Sequence, residues 1–216
     1  PGTAAHYQPF DTPEFYNDKF KLGTLNIQYS FGAFDVLSST ARWTRDSTLA
    51  QDGNEQFQWA FSVPSAIFPF YVADGGIGPA VPTTIEYDPS KQTSEELRFT
   101  STGTSKFNWI AGFYYAKFES CYCLTIDFPG AIADFGTVNA ITQVQTTKIN
   151  QTAFFGEVSY QFTEKLKGTA GLRRYSYTSH VITDVSGFVT ATGNDTVSHL
   201  EASEKDSGVN PKFDLS

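Results

Sequence analysis

The stretch from Gln151 to Tyr177 limits the fold more than any other, because it spells out one complete hairpin with two unlike sides. Phe154, Gly156, Val158, Tyr160 and Phe162 fall on one side of an extended chain, and Phe155, Glu157, Ser159 and Gln161 on the other. A repeat of two belongs to a strand, whose successive side chains point to opposite faces. Thr163, Glu164 and Lys165 supply a short polar turn. Leu166, Gly168, Ala170 and Leu172 then alternate with Lys167, Thr169, Gly171 and Arg173. Such a pair either covers the core of a soluble sandwich or turns its apolar face to lipid in a barrel whose other face lines a lumen. Periodicity alone does not separate the two.

The same design recurs along the chain. Leu25, Ile27, Tyr29 and Phe31 alternate with Asn26, Gln28 and Ser30, and Gly32-Ala33 closes a tight turn. A strand over Phe34 to Asp46 follows, with Leu37, Ala41 and Trp43 expected on the apolar face and Val36 on the other. Leu97, Phe99 and Ser101 oppose Glu96, Arg98 and Thr100; beyond a turn near Gly103, Phe107, Trp109, Ala111, Phe113 and Tyr115 oppose Asn108, Ile110, Gly112 and Tyr114. Between these hairpins lie long connections, expected over Asp46 to Gln92, Phe118 to Thr146 and Tyr177 to Asp206, before a last alternating run from Val209 to Leu215. Short turns thus alternate with long loops. Ordinary connections have a median of about 4 to 6 residues, whereas a bacterial outer-membrane barrel has short periplasmic turns and long extracellular loops. The strands also read as about ten residues or longer, enough to cross a bilayer at a tilt. The expected fold is all-β: about seven strands of a larger transmembrane antiparallel barrel, as an internal fragment cut at both ends.

Composition excludes other classes. Aromatic residues make up 16%, with 20 Phe and 11 Tyr, and the net charge is -8 with only 15 Lys and Arg. Nucleic-acid recognition needs a clustered basic surface, so no nucleic-acid partner is expected. No run of 18 apolar residues occurs, a signal that a β-barrel does not need. His6, His180 and His199 stand apart without a catalytic motif, and Gly75-Gly76-Ile77-Gly78 lacks the context of a phosphate loop. No enzyme activity, cofactor or metal site is expected. Cys121 and Cys123, placed in a loop, are expected to be incidental, either reduced or joined in a tight local bridge.

In order and spacing, Ser94 to Phe99, Phe107 to Tyr115, Gln151 to Glu157, Leu166 to Arg173 and Val209 to Lys212 resemble the barrel domain of the TonB-dependent outer-membrane receptors. The resemblance covers most of the chain apart from the long loops. It implies a 22-stranded barrel in the bacterial outer membrane, filled by an N-terminal plug. Such receptors import a scarce nutrient, most commonly an iron chelate such as a ferric siderophore, with energy from the TonB complex. Residues 1–216 would be part of the barrel domain, with the plug, the TonB-binding box and the remaining strands outside it.

Within that frame Glu96, Arg98, Glu157 and Arg173 are expected to face the lumen and the plug. Trp43, Trp109, Phe113, Tyr115, Phe154, Val158, Tyr160, Phe162 and Leu172 are expected to face lipid or form aromatic girdles. In the first long loop Phe57, Trp59, Phe61, Phe68, Phe70 and Tyr71 are candidates to stack on a small-molecule ligand. The acidic residues of that segment, Asp46, Asp52, Glu55, Asp74, Glu86 and Asp88, read as solvated surface. Two alternatives stay open: a passive porin-like channel, and a soluble secreted β-sandwich binding module.

Overall fold

A computed structural model describes residues 12–53, 83–127, 136–187 and 198–216. Their regular structure is entirely β: β1 (Phe15–Ser30), β2 (Phe34–Asp52), β3 (Thr83–Ser101), β4 (Phe107–Asp127), β5 (Asn139–Thr163), β6 (Leu166–Ser186) and β7 (Ser198–Leu215). Each strand pairs antiparallel with its successor, giving one seven-stranded meander in sequence order. The sheet is not closed. β1 and β7 each carry one edge without a partner strand among the described residues.

The short turns gather at one end of the sheet. Gly32 and Gly103 adopt positive φ values of 83° and 94° there, a backbone region that glycine enters without a steric penalty. Neighbouring turns are laced together, because Thr102 N donates to Ala33 O at 3.2 Å and the Thr102 hydroxyl donates to Gly32 O. Glu164 and Lys165 make the third turn, beside an irregularity in the β5–β6 pairing at Gln161/Thr163.

At the other end the strands run much further than their alternation indicates, from 16 residues in β1 to 25 in β5. Residues 83–92, 118–127, 139–146, 178–186 and 198–206, expected in loops, are strand. There both faces carry Thr, Ser, Gln and charged residues, so the period of two persists in the ladder but not in polarity. Cys121 and Cys123, expected in a loop, lie instead in β4, and of the two expected states they take the local bridge, a disulfide with Cα atoms 5.7 Å apart. Residues i and i+2 share one face of a strand, which puts both sulfurs on the same side. Oxidised cysteines fit the cell envelope better than the cytosol.

The sheet is a single layer. Among the described residues the buried hydrophobic ones are Ala50, Ala116, Ile126, Ala140 and Ala153, four of them alanines, too few and too small to make an interior core.

Candidate functional site on the two faces of the sheet

The register fixes which side chains share a face, since directly paired residues point the same way. One cross-strand row runs Gln28, Leu37, Arg98, Gly112, Phe155, Arg173 and Asn210 from β1 to β7. The adjacent row on the opposite face runs Ile27, Ser38, Leu97, Phe113, Phe154, Arg174 and Val209. The first belongs to a polar face, the second to an apolar one.

All four residues expected at a lumen stand on the polar face, and each has a partner. Arg98 Nε donates to Glu96 Oε1 at 2.9 Å, and Lys212 Nζ lies 2.8 Å from Glu157 Oε2 across Gly171, where a Cβ would come within 3.3 Å of Gly156 O. The Arg173 guanidinium sits 5.6 Å from the centre of the Tyr114 ring, within range of a cation–π contact. Phe155 folds over Gly112 so closely that a Cβ there would lie 2.3 Å from its ring.

Higher on this face, toward the long connections, the strands enclose a hollow of about 380 Å³. Its lining includes Tyr16, Arg45, Glu86, Asp88, Phe118 and Tyr122. Arg45 clamps Asp18, with Nε to Oδ1 at 2.9 Å and Nη2 to Oδ2 at 2.7 Å, while Nη2 also donates to the Tyr16 hydroxyl at 2.9 Å. These hydrogen bonds from Arg45 hold the Asp18 carboxyl below its ordinary pKa. Across the hollow the Tyr122 hydroxyl donates to Glu86 at 3.4 Å, and Asp88 Oδ1 is buried without a hydrogen-bond partner. The hollow therefore offers fixed carboxylates and hydroxyls suited to a polar ligand. Glu86 and Asp88, expected to be solvated loop charges, are part of it.

Trp43 requires a correction. It was expected on the lipid side, but its partners Leu22 and Gln92 place it on the polar face. Its ring lies 5.9 Å from both Phe20 and Phe118, forming an aromatic floor beneath the hollow. The same register reverses the rest of β2: Leu37 and Ala41, expected on the apolar face, lie with Trp43 on the polar one, and Val36 lies on the apolar face, because a strand with apolar residues on both sides is oriented only by its pairing. Phe118, Tyr16 and Tyr122 carry no signal in the sequence because they lie where the polarity pattern fades.

The other expected girdle and lipid-facing residues share the apolar face. Phe113 and Phe154 pack at 5.0 Å; Trp109, Tyr160 and Phe162 cluster toward the short-turn end, with Phe34 6.3 Å from Trp109; Tyr115 stands one row above Phe113. Val158 and Leu172 frame a shallow apolar hollow of about 470 Å³ over Ala111, Gly156 and Ala170. The aromatic residues Phe57, Trp59, Phe61, Phe68, Phe70 and Tyr71 lie outside the described residues. Among the described residues no group of three or more His, Cys, Asp or Glu side chains is placed to hold a metal ion.

A long-stranded antiparallel meander with one polar and one apolar face and no covering layer defines the wall of a β-barrel. Over residues 1–216 the chain matches the family described as TonB dependent receptor-like, beta-barrel, and it belongs to that family. The family is one of outer-membrane transport receptors rather than enzymes. No curated protein matches the chain in sequence. Among solved structures, the ferric yersiniabactin uptake receptor FyuA from Yersinia pestis is similar in fold, with a TM-score of 0.67 and 13% identity over 94% of this chain. The chain spans 26% of that receptor's length.

Proposed function

We propose that this chain is part of the wall of a TonB-coupled uptake receptor in a bacterial outer membrane. In this arrangement the apolar face meets lipid and the polar face lines a plugged bore. One observation carries the proposal: large hydrophobic side chains lie open on the apolar face from β1 to β7, with none of the described residues packed over them. Ile27 is 58% exposed, Phe154 63%, Leu172 55% and Phe213 81%. Leaving a side chain of this size in water forgoes about 1.5–3 kcal/mol relative to burying it. A face built this way calls for hydrocarbon. From Thr152 to Phe162 the apolar side of β5 covers about 33 Å along the strand, or about 25 Å along the membrane normal at a tilt of about 40°. That matches the apolar band of an outer-membrane barrel. The open edges of β1 and β7 would be paired by the remaining strands, since unpaired edges are not tolerated in lipid.

Glu96, Arg98, Glu157 and Arg173 would then face the bore and contact a plug outside this chain. The long connections and the hollow over Phe20, Trp43 and Phe118 would receive a small ring-bearing polar ligand, an iron chelate being the leading class. Plug rearrangement driven by the TonB complex would admit it.

The test is uptake of radiolabelled iron chelates by cells with and without the gene, each with TonB intact or deleted. Uptake lost in either deletion supports the proposal. Gene-dependent uptake that persists without TonB would point to a passive pore. Recovery of the protein in the aqueous fraction without detergent would point to a soluble binding module.

A further inference from the structure

Directly above the apolar band, on the same face and toward the long connections, the register gathers cations. One row runs Lys21, Thr44, Lys91, Glu119, Lys148, His180 and Ser203; the row beneath it runs Gly23, Arg42, Thr93, Lys117, Asn150, Thr178 and Lys205. Six of the chain's 15 Lys and Arg residues thus occupy two adjacent rows, on six of the seven strands, against one carboxylate, in a protein whose net charge is -8. All six are exposed. Glu119 bridges Lys91 and Lys117 at 2.8 Å each, and these two hydrogen-bonded cations pull its carboxyl down to about 2. Lys21, Arg42, Lys148 and Lys205 have no ion-pair partner among the described residues.

Cations on alternate strands stand about 10 Å apart, roughly a Debye length at physiological salt, so dissolved ions screen most of their repulsion and a row of anions between them would remove the remainder. Their height identifies which anions. The lower row is two residues above Thr152, the top of the apolar band on β5, about 5 Å along the membrane normal. That falls within the headgroup layer, which adds about 5–7.5 Å to each side of a hydrocarbon core of about 30 Å. Arg174, beside Phe154 one row below the top of the apolar band, can reach up to the same layer, as long cationic side chains do at membrane edges.

Resting on the lipid-facing assignment above, we propose that Lys21, Arg42, Lys91, Lys117, Lys148 and Lys205 form a headgroup-binding belt that holds phosphate-bearing lipids of the outer leaflet against the barrel. The aliphatic stems cross the upper rim of the apolar band while the charged ends meet the phosphates. A cationic side chain near an anionic leaflet contributes about fivefold in partitioning, so three of them together give a large effect.

The full-length protein would be reconstituted in nanodiscs of phosphatidylcholine containing one fifth phosphatidylglycerol, and the lipids retained around it would be counted by native mass spectrometry. Phosphatidylglycerol should be enriched several-fold over the bulk. R42Q/K148Q/K205Q should lose most of that enrichment, R42K/K148R/K205R should keep it, and K106Q/K165Q/K167Q, at the short-turn end, should leave it unchanged. Inorganic phosphate at 10 mM should not displace the lipid; displacement would mean that the belt binds free phosphate and would overturn the proposal. Insertion into nanodiscs of phosphatidylcholine alone, read by protease protection, tests the lipid-facing assignment separately. A protein that inserts but shows equal enrichment in all three triple variants overturns the belt and leaves that assignment standing, whereas one that fails to insert overturns both.

Discussion

The two faces of this sheet are made from the same strands, share one hydrogen-bond ladder and differ only in which alternate residues they display. On the polar face several large side chains have a specific partner: Arg45 holds Asp18, Arg98 holds Glu96, Lys212 reaches Glu157, Arg173 lies over Tyr114 and Phe155 covers Gly112. On the apolar face the side chains touch only their lateral neighbours, as Phe113 does Phe154, and stand open outward. One face is thus made specific by contacts within the chain, while the other is generic and depends on its surroundings. A barrel wall in a membrane needs both.

Inserting charge separates the faces most sharply. Val158→Arg or Leu172→Arg should destabilise the protein folded into lipid vesicles by about 2–4 kcal/mol, while Ser159→Arg, one residue from Val158 but on the polar face, should change it by under about 1 kcal/mol. Urea titration of the vesicle-inserted protein measures both, and equal losses would break the distinction. A smaller effect probes the polar face. Gly112→Ala drives a Cβ into the Phe155 ring and should cost about 1–3 kcal/mol. Phe155→Ala in the same chain should restore much of the loss, and its failure to do so would mean that the ring does not occupy that position.

How far these faces can be read without coordinates depends on height along the strands. Where one side is greasy, from Phe107 to Tyr115 and from Phe154 to Phe162, alternation specifies strand, face and turn together, and the register agrees residue by residue. Above Thr152 both sides are wet, so Lys117, Glu119, Cys121 and Cys123 carry no polarity contrast and read as loop although they lie in β4. Trp43 sits in a strand with apolar residues on both sides, and pairing with β1 and β3 rather than its own sequence decides its direction. The upper hollow is unreadable for the same reason: Tyr16, Arg45, Glu86 and Tyr122 come from four strands spread over more than a hundred residues. The cationic belt likewise emerges only when the register lines up single residues from six strands.

The smallest expected effect lies at the top of the sheet, well outside the apolar band. His199 Nδ1 is 2.6 Å from Asp184, and that hydrogen bond raises the imidazole pKa above its usual value. A raised folded-state pKa means that the contact contributes fully below the unfolded value and is lost as pH rises through the folded one. The protection factors of the Thr183 and Leu200 amides, which compare exchange with the base-catalysed rate of an unfolded chain at the same pH, should therefore fall modestly from pH 6 to pH 9, and Asp184→Asn should flatten that dependence. Protection factors that do not change with pH in the parent protein would show that the pair contributes nothing.

The most direct measurement is a nitroxide scan along β5 from Thr152 to Phe162 in the full-length protein reconstituted in vesicles, labelling one introduced cysteine at a time with the native disulfide kept oxidised. Collision with oxygen, which concentrates in hydrocarbon, should peak at Phe154, Gly156, Val158, Tyr160 and Phe162. Collision with a water-soluble nickel complex should peak, if anywhere, at the odd positions between them. The opposite phase, or no alternation at all, would contradict the assignment of the apolar face to lipid.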